Sequence, residues 1–387
     1  MIRLWQMLFW TSVAWLAYVY TGYPFCLWLL GFWRKFELKM HDDYRPKVSV
    51  LISARNEEKD IAWKVSETLG WNYPPDRLEL IIASDASDDR TDEILSSYKD
   101  SRLRYVRMEN RVGKNEALNR LSRLAKGELL LFSDANSHIG KDCLASMVRY
   151  FSDARVGCVT GTEHTQPEEQ ESAVGSGTRA YLDYELTVTG LESRIGSVIV
   201  CDGALFAIRA SLFHELQPDL ANDLELPFWI GRESHALLCD PTARALEKAM
   251  RSPREEFNRK RRICGQGVLG FWRLRRCLRG IRAWQFLSRK VLRWLTLVPM
   301  AGILLSTAVL WRHPFFALLL LAQMVFYALA LIGWRLSSKG TSSSILTMPF
   351  YFLLVNLAAV IGVFQACTGR RFAVWEVAVL SRGQENA

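Results

Sequence analysis

Four long apolar stretches interrupt the polar pattern of this 387-residue chain. Leu4 to Trp33 holds no charged residue in 30 positions, and Trp294–Trp311, Pro314–Trp334 and Gly340–Gly369 add uncharged runs of 18, 21 and 30. At a helical rise of about 1.5 Å per residue, each can cross a hydrocarbon layer roughly 30 Å thick. The pattern predicts one membrane helix at the N-terminal end and about three near the C-terminal end. The first run is too long for a signal peptide and lacks an A-x-A cleavage pattern. Only Arg3 precedes it, whereas Arg34, Lys35, Lys39, Arg45 and Lys47 follow it. The positive-inside rule therefore puts the N-terminus outside and the central region in the cytoplasm. Arg370, Arg371 and Arg382 favour an inside location for the tail, although three C-terminal spans would place it outside.

Between the apolar runs the period changes. Val48 to Ala54, Leu78 to Ser84 and Leu129 to Ser133 are short and continuously apolar, as strands buried on both faces of a parallel sheet are. Helical patterns follow them at about Lys59–Leu69, Asp88–Tyr98 and Lys114–Ala125. Alternating strands and helices predict right-handed crossovers and a doubly wound α/β domain, whose ligands bind beyond the carboxyl ends of the strands. The expected organisation is a membrane helix over 1–34, a catalytic domain over 46–265, an amphipathic interfacial helix over 266–290, three membrane helices over 291–369 and a tail over 370–387.

Charge sharpens that division. The formal net charge is +9, yet Arg251 to Arg293 alone holds 14 Lys/Arg against Glu255 and Glu256, which leaves −3 for the rest. Basicity confined to one segment argues against a nucleic-acid-binding domain. Interleaved with Phe271, Trp272, Leu274, Leu278, Ile281 and Trp284, it suits a helix in the headgroup layer of a membrane. The eight cysteines form no C-x-x-C pair, so they read as reduced structural thiols without a zinc site.

Candidate chemistry lies at the predicted strand ends. The first strand runs into Arg55-Asn56-Glu57-Glu58 and the second into Asp85-Ala86-Ser87-Asp88-Asp89. Nucleoside binding and simple helix capping both explain these carboxylates, and Asp88 is placed to cap. Gly113-Lys114 puts a cation at a helix start, where phosphate binds readily. Asp134 ends the third strand, and Asn136 points the same way if the chain stays extended, so the two can hold Mg²⁺ or Mn²⁺. Asp202 and Gly203 open a strand near the predicted sheet edge, and Asp223 stands before a helix that it would ordinarily cap. Arg259-Lys260-Arg261-Arg262-Ile263 packs cations just ahead of the interfacial segment. Tyr181, Tyr184 and Trp229 are aromatic residues that either line an acceptor path or fill the core.

Together and in this order, from about Lys47 to Leu295, these segments resemble family-2 glycosyltransferases, in particular the membrane synthases of bacterial polysaccharides (cellulose, poly-N-acetylglucosamine and hyaluronan synthases). The resemblance implies a Rossmann-like, A-type glycosyltransferase domain. It implies that Asn56, Glu57, Asp85, Lys114, Asp134, Arg259 and Arg262 bind the donor, with Asp85 on the nucleotide base. Asp134-Ala135-Asn136 matches the D-x-D metal motif with its second acid replaced. Asp223 matches the catalytic base of a T-E-D motif whose first two residues are Ala221 and Asn222 here. Asp202 and Gly203 match the acceptor loop, and the Gln and Trp of Q-x-x-R-W become Arg259 and Ile263.

The implied reaction is inverting transfer of a sugar from a nucleotide sugar, UDP-linked by family habit, to a growing polysaccharide through a β-linkage. Implied partners are the donor, a polysaccharide or lipid acceptor, membrane lipids and an export subunit, with no nucleic acid. The implied location is integral to a bacterial inner membrane, with the catalytic domain cytoplasmic. Transfer of one sugar to a membrane lipid or lipid-linked carrier needs the same motifs with fewer spans. A sugar-nucleotide pyrophosphorylase would carry a Gly-rich basic loop where Arg55-Asn56-Glu57-Glu58 stands, and a noncatalytic scaffold would not need to keep Asp134 and Asp223.

Overall fold

The computed structural model describes residues 1–166, 173–248, 252–337 and 344–369. Helices α1 (Ile2–Ala17) and α2 (Tyr23–Trp33), joined by a π-helical turn, form one apolar rod. The α/β domain follows in the order β1 (Val48–Ala54), α3 (Ile61–Leu69), β2 (Leu78–Ser84), α4 (Thr91–Ser97), β3 (Leu103–Arg107), α5 (Lys114–Leu124) and β4 (Leu129–Ser133). Then come β5 (His138–Ile139), α6 (Cys143–Val148), β6 (Val156–Thr165), α7 (Ala173–Arg194), β7 (Leu205–Arg209), α8 (Asn222–Arg232) and β8 (Ala236–Glu247). The chain continues with α9 (Pro253–Leu274), α10 (Ile281–Phe286), α11 (Leu292–Trp294), α12 (Leu297–Val309), α13 (Pro314–Ser337) and α14 (Ser344–Cys367).

Eight strands form one mixed sheet in the order β3-β2-β1-β4-β7-β6-β8-β5. The expected parallel part is β3-β2-β1-β4, and β7 runs antiparallel to β4. β7 is therefore central rather than near an edge. Its only route to the middle is a long-range pairing that local pattern does not encode. Side chains of β1 alternate between faces: Val48, Val50 and Ile52 join one core cluster, and Leu51 the other. Phe132 and Phe206, paired across β4 and β7, stack with centroids 4.6 Å apart. Such a pair adds about 0.5–1.5 kcal/mol beyond its buried area. Gly127 must be glycine, because a Cβ there would sit 2.5 Å from the Ser49 amide nitrogen.

Among the described residues three helical stretches are long and apolar enough to cross a membrane: Ile2–Trp33, Pro314–Ser337 and Thr347–Cys367. The run expected over 294–311 is realised as the 13-residue α12, bent by 55° from the preceding Ile281–Trp294, and counts as a fourth only if that broken pair is one span. Nor is 266–290 a single helix. Its first residues belong to α9, and Gly280, at φ +54, separates α9 and its following 3-10 turn from α10. A left-handed residue cannot propagate a right-handed helix. Phe271, Leu274 and Leu278 pack with Phe286 against the domain while Trp272 stays exposed. The tail over 370–387 lies outside the described residues.

The apolar helices and the domain are joined by polar side chains. Arg289 donates to Glu192 at 2.5 Å and to Glu185 at 2.9 Å, and Tyr23 donates to the other Glu192 oxygen at 2.5 Å. Tyr351 of α14 donates to Glu256 of α9 at 2.9 Å. The buried charged groups of this junction, Glu192, Glu256 and Arg289, are thus each partnered, the condition under which buried charge is tolerated.

Candidate active site

Strand register decides which loops meet. Ala54 pairs with Ser84, so the loops after β1 and β2 leave the sheet side by side. Ser133 pairs with Leu205 in antiparallel sense, which sets the 202–204 loop beside the end of β4. β6 and β8 run on to the same edge, where Thr165 pairs with Glu247. One cavity of about 1760 Å³ lies at this edge, and it is lined by Glu57, Asp85, Lys114, Asp134, Asn136, Asp202, Gly203, Asp223, Arg259 and Arg262. Ten of the residues singled out from sequence thus share one space.

Asn56 does not line it. At φ +53 its amide donates to Ser87 Oγ at 3.2 Å, and its Oδ1 accepts from the Asp88 amide at 3.0 Å. It ties the first loop to the second. Asp88 does not cap α4; Asp89 accepts instead from the amide and hydroxyl of Thr91 at 2.9 and 2.5 Å. Asp85 is buried and accepts from the amides of Val112 and Gly113 at 2.6 and 2.9 Å. Its carboxylate thereby holds the start of α5, where Gly113 at φ +88 turns the chain into the helix opened by Lys114. Each oxygen keeps a second lone pair for a ligand.

Lys114 Nζ reaches Asp134 Oδ1 at 2.5 Å. The chain does not stay extended past Asp134: Ser137 closes a turn onto the Asp134 carbonyl, so Asn136 reaches the cavity from that turn and not along a strand. Beneath the turn Lys64, fully buried, donates to the Ser137 carbonyl at 2.7 Å. Among the described residues no three His, Cys, Asp or Glu side chains cluster as a metal cage. Asp134 nevertheless suits Mg²⁺ or Mn²⁺. Such ions commonly take one or two carboxylates and leave the remaining positions to phosphate and water, and Lys114 shares this carboxylate.

Asp223 is the second residue of α8, whose N-cap is Ala221, so it makes no cap. Its backbone carbonyl accepts from the Cys201 amide at 2.9 Å, and a Cβ on Gly203 would lie 3.4 Å from its Oδ2. Glycine therefore leaves open the space beside this carboxylate. Burial raises the Asp223 pKa, opposed by Lys114 and Lys290, with Asp134 adding to the rise. Burial and Glu163 push Asp202 well above the usual carboxylate range. Arg259 and Arg262 lie one turn apart on α9 and face the cavity. Arg259 holds both oxygens of Glu163 at 2.9 and 3.1 Å, whereas Arg262 is 3.5 Å from Gln266 and has its pKa lowered by burial and by Arg259.

Several lining residues had no sequence signal. Glu163 and Glu247 come in on β6 and β8, and burial, with Glu163 adding, pushes Glu247 up to about 8. Lys290 and Arg293 were visible only as part of a basic run. Tyr181 and Tyr184 line the cavity, but Trp229 stacks on His214 at 4.7 Å and does not.

Residues 49–216 match the family model described as glycosyl transferase family 2. This region is a family-2 glycosyltransferase domain. The beta-monoglucosyldiacylglycerol synthase of Trichormus variabilis is 33% identical over 118 residues, covering 30% of this chain and 25% of that protein. The poly-beta-1,6-N-acetyl-D-glucosamine synthase of Staphylococcus epidermidis is 32% identical over 116 residues, covering 30% and 28%. These matches thus span about a quarter of the length of such relatives. A solved mannosyltransferase from Pyrobaculum calidifontis, in complex with GDP-Man and Mn²⁺, aligns over 90% of this chain and 98% of its own with a TM-score of 0.69 at 22% identity. That likeness establishes the shared A-type glycosyltransferase fold.

Proposed function

We propose that this chain is an inverting glycosyltransferase that moves a sugar from a nucleotide sugar to an acceptor hydroxyl at the cytoplasmic face of a membrane. The observation that carries the reading is the convergence of Asp223, Asp134, Lys114 and Arg262 on one cavity at the carboxyl edge of the sheet. Lys114 and Arg262 bring positive charge to the place where a departing diphosphate would develop negative charge. Mg²⁺ or Mn²⁺ bound through Asp134, with Asn136 beside it, would add neutralising charge to the same leaving group. Asp223 takes the proton of the acceptor hydroxyl as that oxygen attacks the anomeric carbon. With Asp223 as the one assigned base and no enzyme nucleophile in this reading, the reaction is one displacement with inversion. Asp85 keeps the donor side ordered through the α5 loop, and its free lone pairs are available to the nucleotide base.

Relatives support a nucleotide-sugar donor and a divalent metal, since the mannosyltransferase was solved with GDP-Man and Mn²⁺. Their names divide between a lipid glycoside and a polysaccharide, and both products need an acceptor hydroxyl. The reading places the catalytic domain in the cytoplasm, with Ile2–Trp33 and the C-terminal helices anchoring it to a bacterial inner membrane. The test is transfer from UDP- and GDP-linked α-sugars by the purified chain in lipid nanodiscs with Mn²⁺ or Mg²⁺. The product's anomeric configuration is read by NMR. A β-linked product is expected, and an α-linked product would overturn the single-displacement mechanism.

A further inference from the structure

The cavity that contains Asp223 does not end at the catalytic domain. It continues to Tyr20 of the N-terminal apolar rod and to Met348, Tyr351, Phe352, Val355 and Ala359 of α14, with Asn356 beside them, its amide turned back onto the Phe352 carbonyl. Those α14 positions recur at helical spacing and form one stripe, about 16 Å long at 1.5 Å per residue. That is about half of a roughly 30 Å hydrocarbon core, the length against which one acyl chain can lie. The same cavity holds a cluster of cations and tyrosines. Arg293 lies over Tyr181 and Tyr184 at 4.9 and 5.0 Å, and Lys260 lies over Tyr181 at 3.8 Å. Tyrosine and lysine or arginine at one level mark the headgroup zone of a membrane. Among the described residues, α12 and α13 contribute none of the lining, so the cavity meets a face of α14 and not a passage ringed by spans. Ile263 lines it too and offers no aromatic plate for a sugar ring.

We propose that the acceptor is a membrane lipid with a free headgroup hydroxyl, its hydroxyl at Asp223 and its acyl chain along the α14 stripe; this rests on the transferase reading above. The lipid oxygen forms a bond to the anomeric carbon as the bond to the nucleotide diphosphate breaks, and the hydroxyl proton passes to Asp223.

The full chain is reconstituted in phosphatidylcholine vesicles, which offer no free hydroxyl, and in the same vesicles doped with diacylglycerol or with phosphatidylglycerol. Radiolabelled UDP- and GDP-sugars are supplied, and label is sorted into organic, polymeric and water-soluble fractions. Label should enter the organic phase only with a doped lipid. Val355→Trp, which fills the stripe, should lower that transfer about tenfold or more. Leu357→Trp, on the exposed side of the same helix, should leave it within about twofold. Donor affinity of each variant, measured by calorimetry, reports folding of the site. Polymeric or water-soluble label with a blank organic phase, or Val355→Trp transfer equal to the parent with donor affinity intact, overturns the lipid proposal and leaves the transferase reading standing. Failure to bind or turn over any donor overturns that reading, and the lipid proposal with it.

Discussion

Lys64→Met tests whether the turn carrying Asp134 is held from below by a buried charge. Lys64 is fully buried, and burial lowers its pKa to about 8, against the opposing pull of Glu67, Asp134 and Glu247. It donates to the Ser137 carbonyl at 2.7 Å and lies 3.9 Å from Glu67. Methionine keeps most of the volume but removes the ammonium. The charge-assisted hydrogen bond to Ser137 is lost, which costs about 1.5–3 kcal/mol. Glu67 loses its counter-charge as well. Burial already raises its pKa to about 7, so near neutral pH it takes up a proton instead of remaining an unpaired carboxylate. That relief keeps the total near 2–3 kcal/mol, below the roughly 3–5 kcal/mol of an uncompensated broken pair. For a domain of this size the thermal midpoint should fall by about 5–10 °C in detergent at neutral pH. A loosened turn should also raise the Mn²⁺ concentration needed for half-maximal transfer. A midpoint within about 1 °C of the parent would refute the account of Lys64.

Asp85→Ala should weaken nucleotide-sugar binding by roughly ten- to hundredfold, because the amides of Val112 and Gly113 lose their acceptor and the Lys114 loop loosens; calorimetry with unchanged affinity would remove its role. The pH profile of kcat/KM should carry an acid limb set by Asp223. A general base works deprotonated, so the rate climbs as pH rises through its pKa, and burial moves that pKa above the ordinary aspartate value near 3.9. A flat profile down to about pH 4 would contradict this.

Sequence pattern revealed β1, β2 and β4 in full, since continuous apolar runs between turn residues have few other uses in a soluble domain. It passed over β3, an edge strand whose Leu-Arg-Tyr-Val-Arg is only half buried. The motifs at strand ends led to Glu57, Asp85, Asp134 and Asn136 because the carboxyl edge of a parallel sheet collects its loops, whereas Lys114, Asp223, Arg259 and Arg262 reach the cavity from helices. Asn56 escaped that logic, because a left-handed turn swings it out of the cavity and onto the neighbouring loop, and the cap expected of Asp88 falls one residue on, to Asp89. Glu163, Glu247 and Lys290 reach the site through strand pairing and helix packing across long sequence separations, which no local pattern records. The break at Gly280 was hidden because an amphipathic composition reads alike whether the helix is whole or divided.

The central claim is that Asp223 acts as the base for the acceptor and not as a donor ligand. Asp223→Asn keeps the shape beside Gly203 and removes only the ability to accept a proton. The direct measurement pairs single-turnover transfer with calorimetric donor affinity for this variant in nanodiscs. Transfer should fall by about 10²–10⁴-fold, or roughly 3–5 kcal/mol of transition-state stabilisation, while donor affinity stays within about twofold. Transfer retained near the parent rate, or lost only in step with donor affinity, would contradict the account.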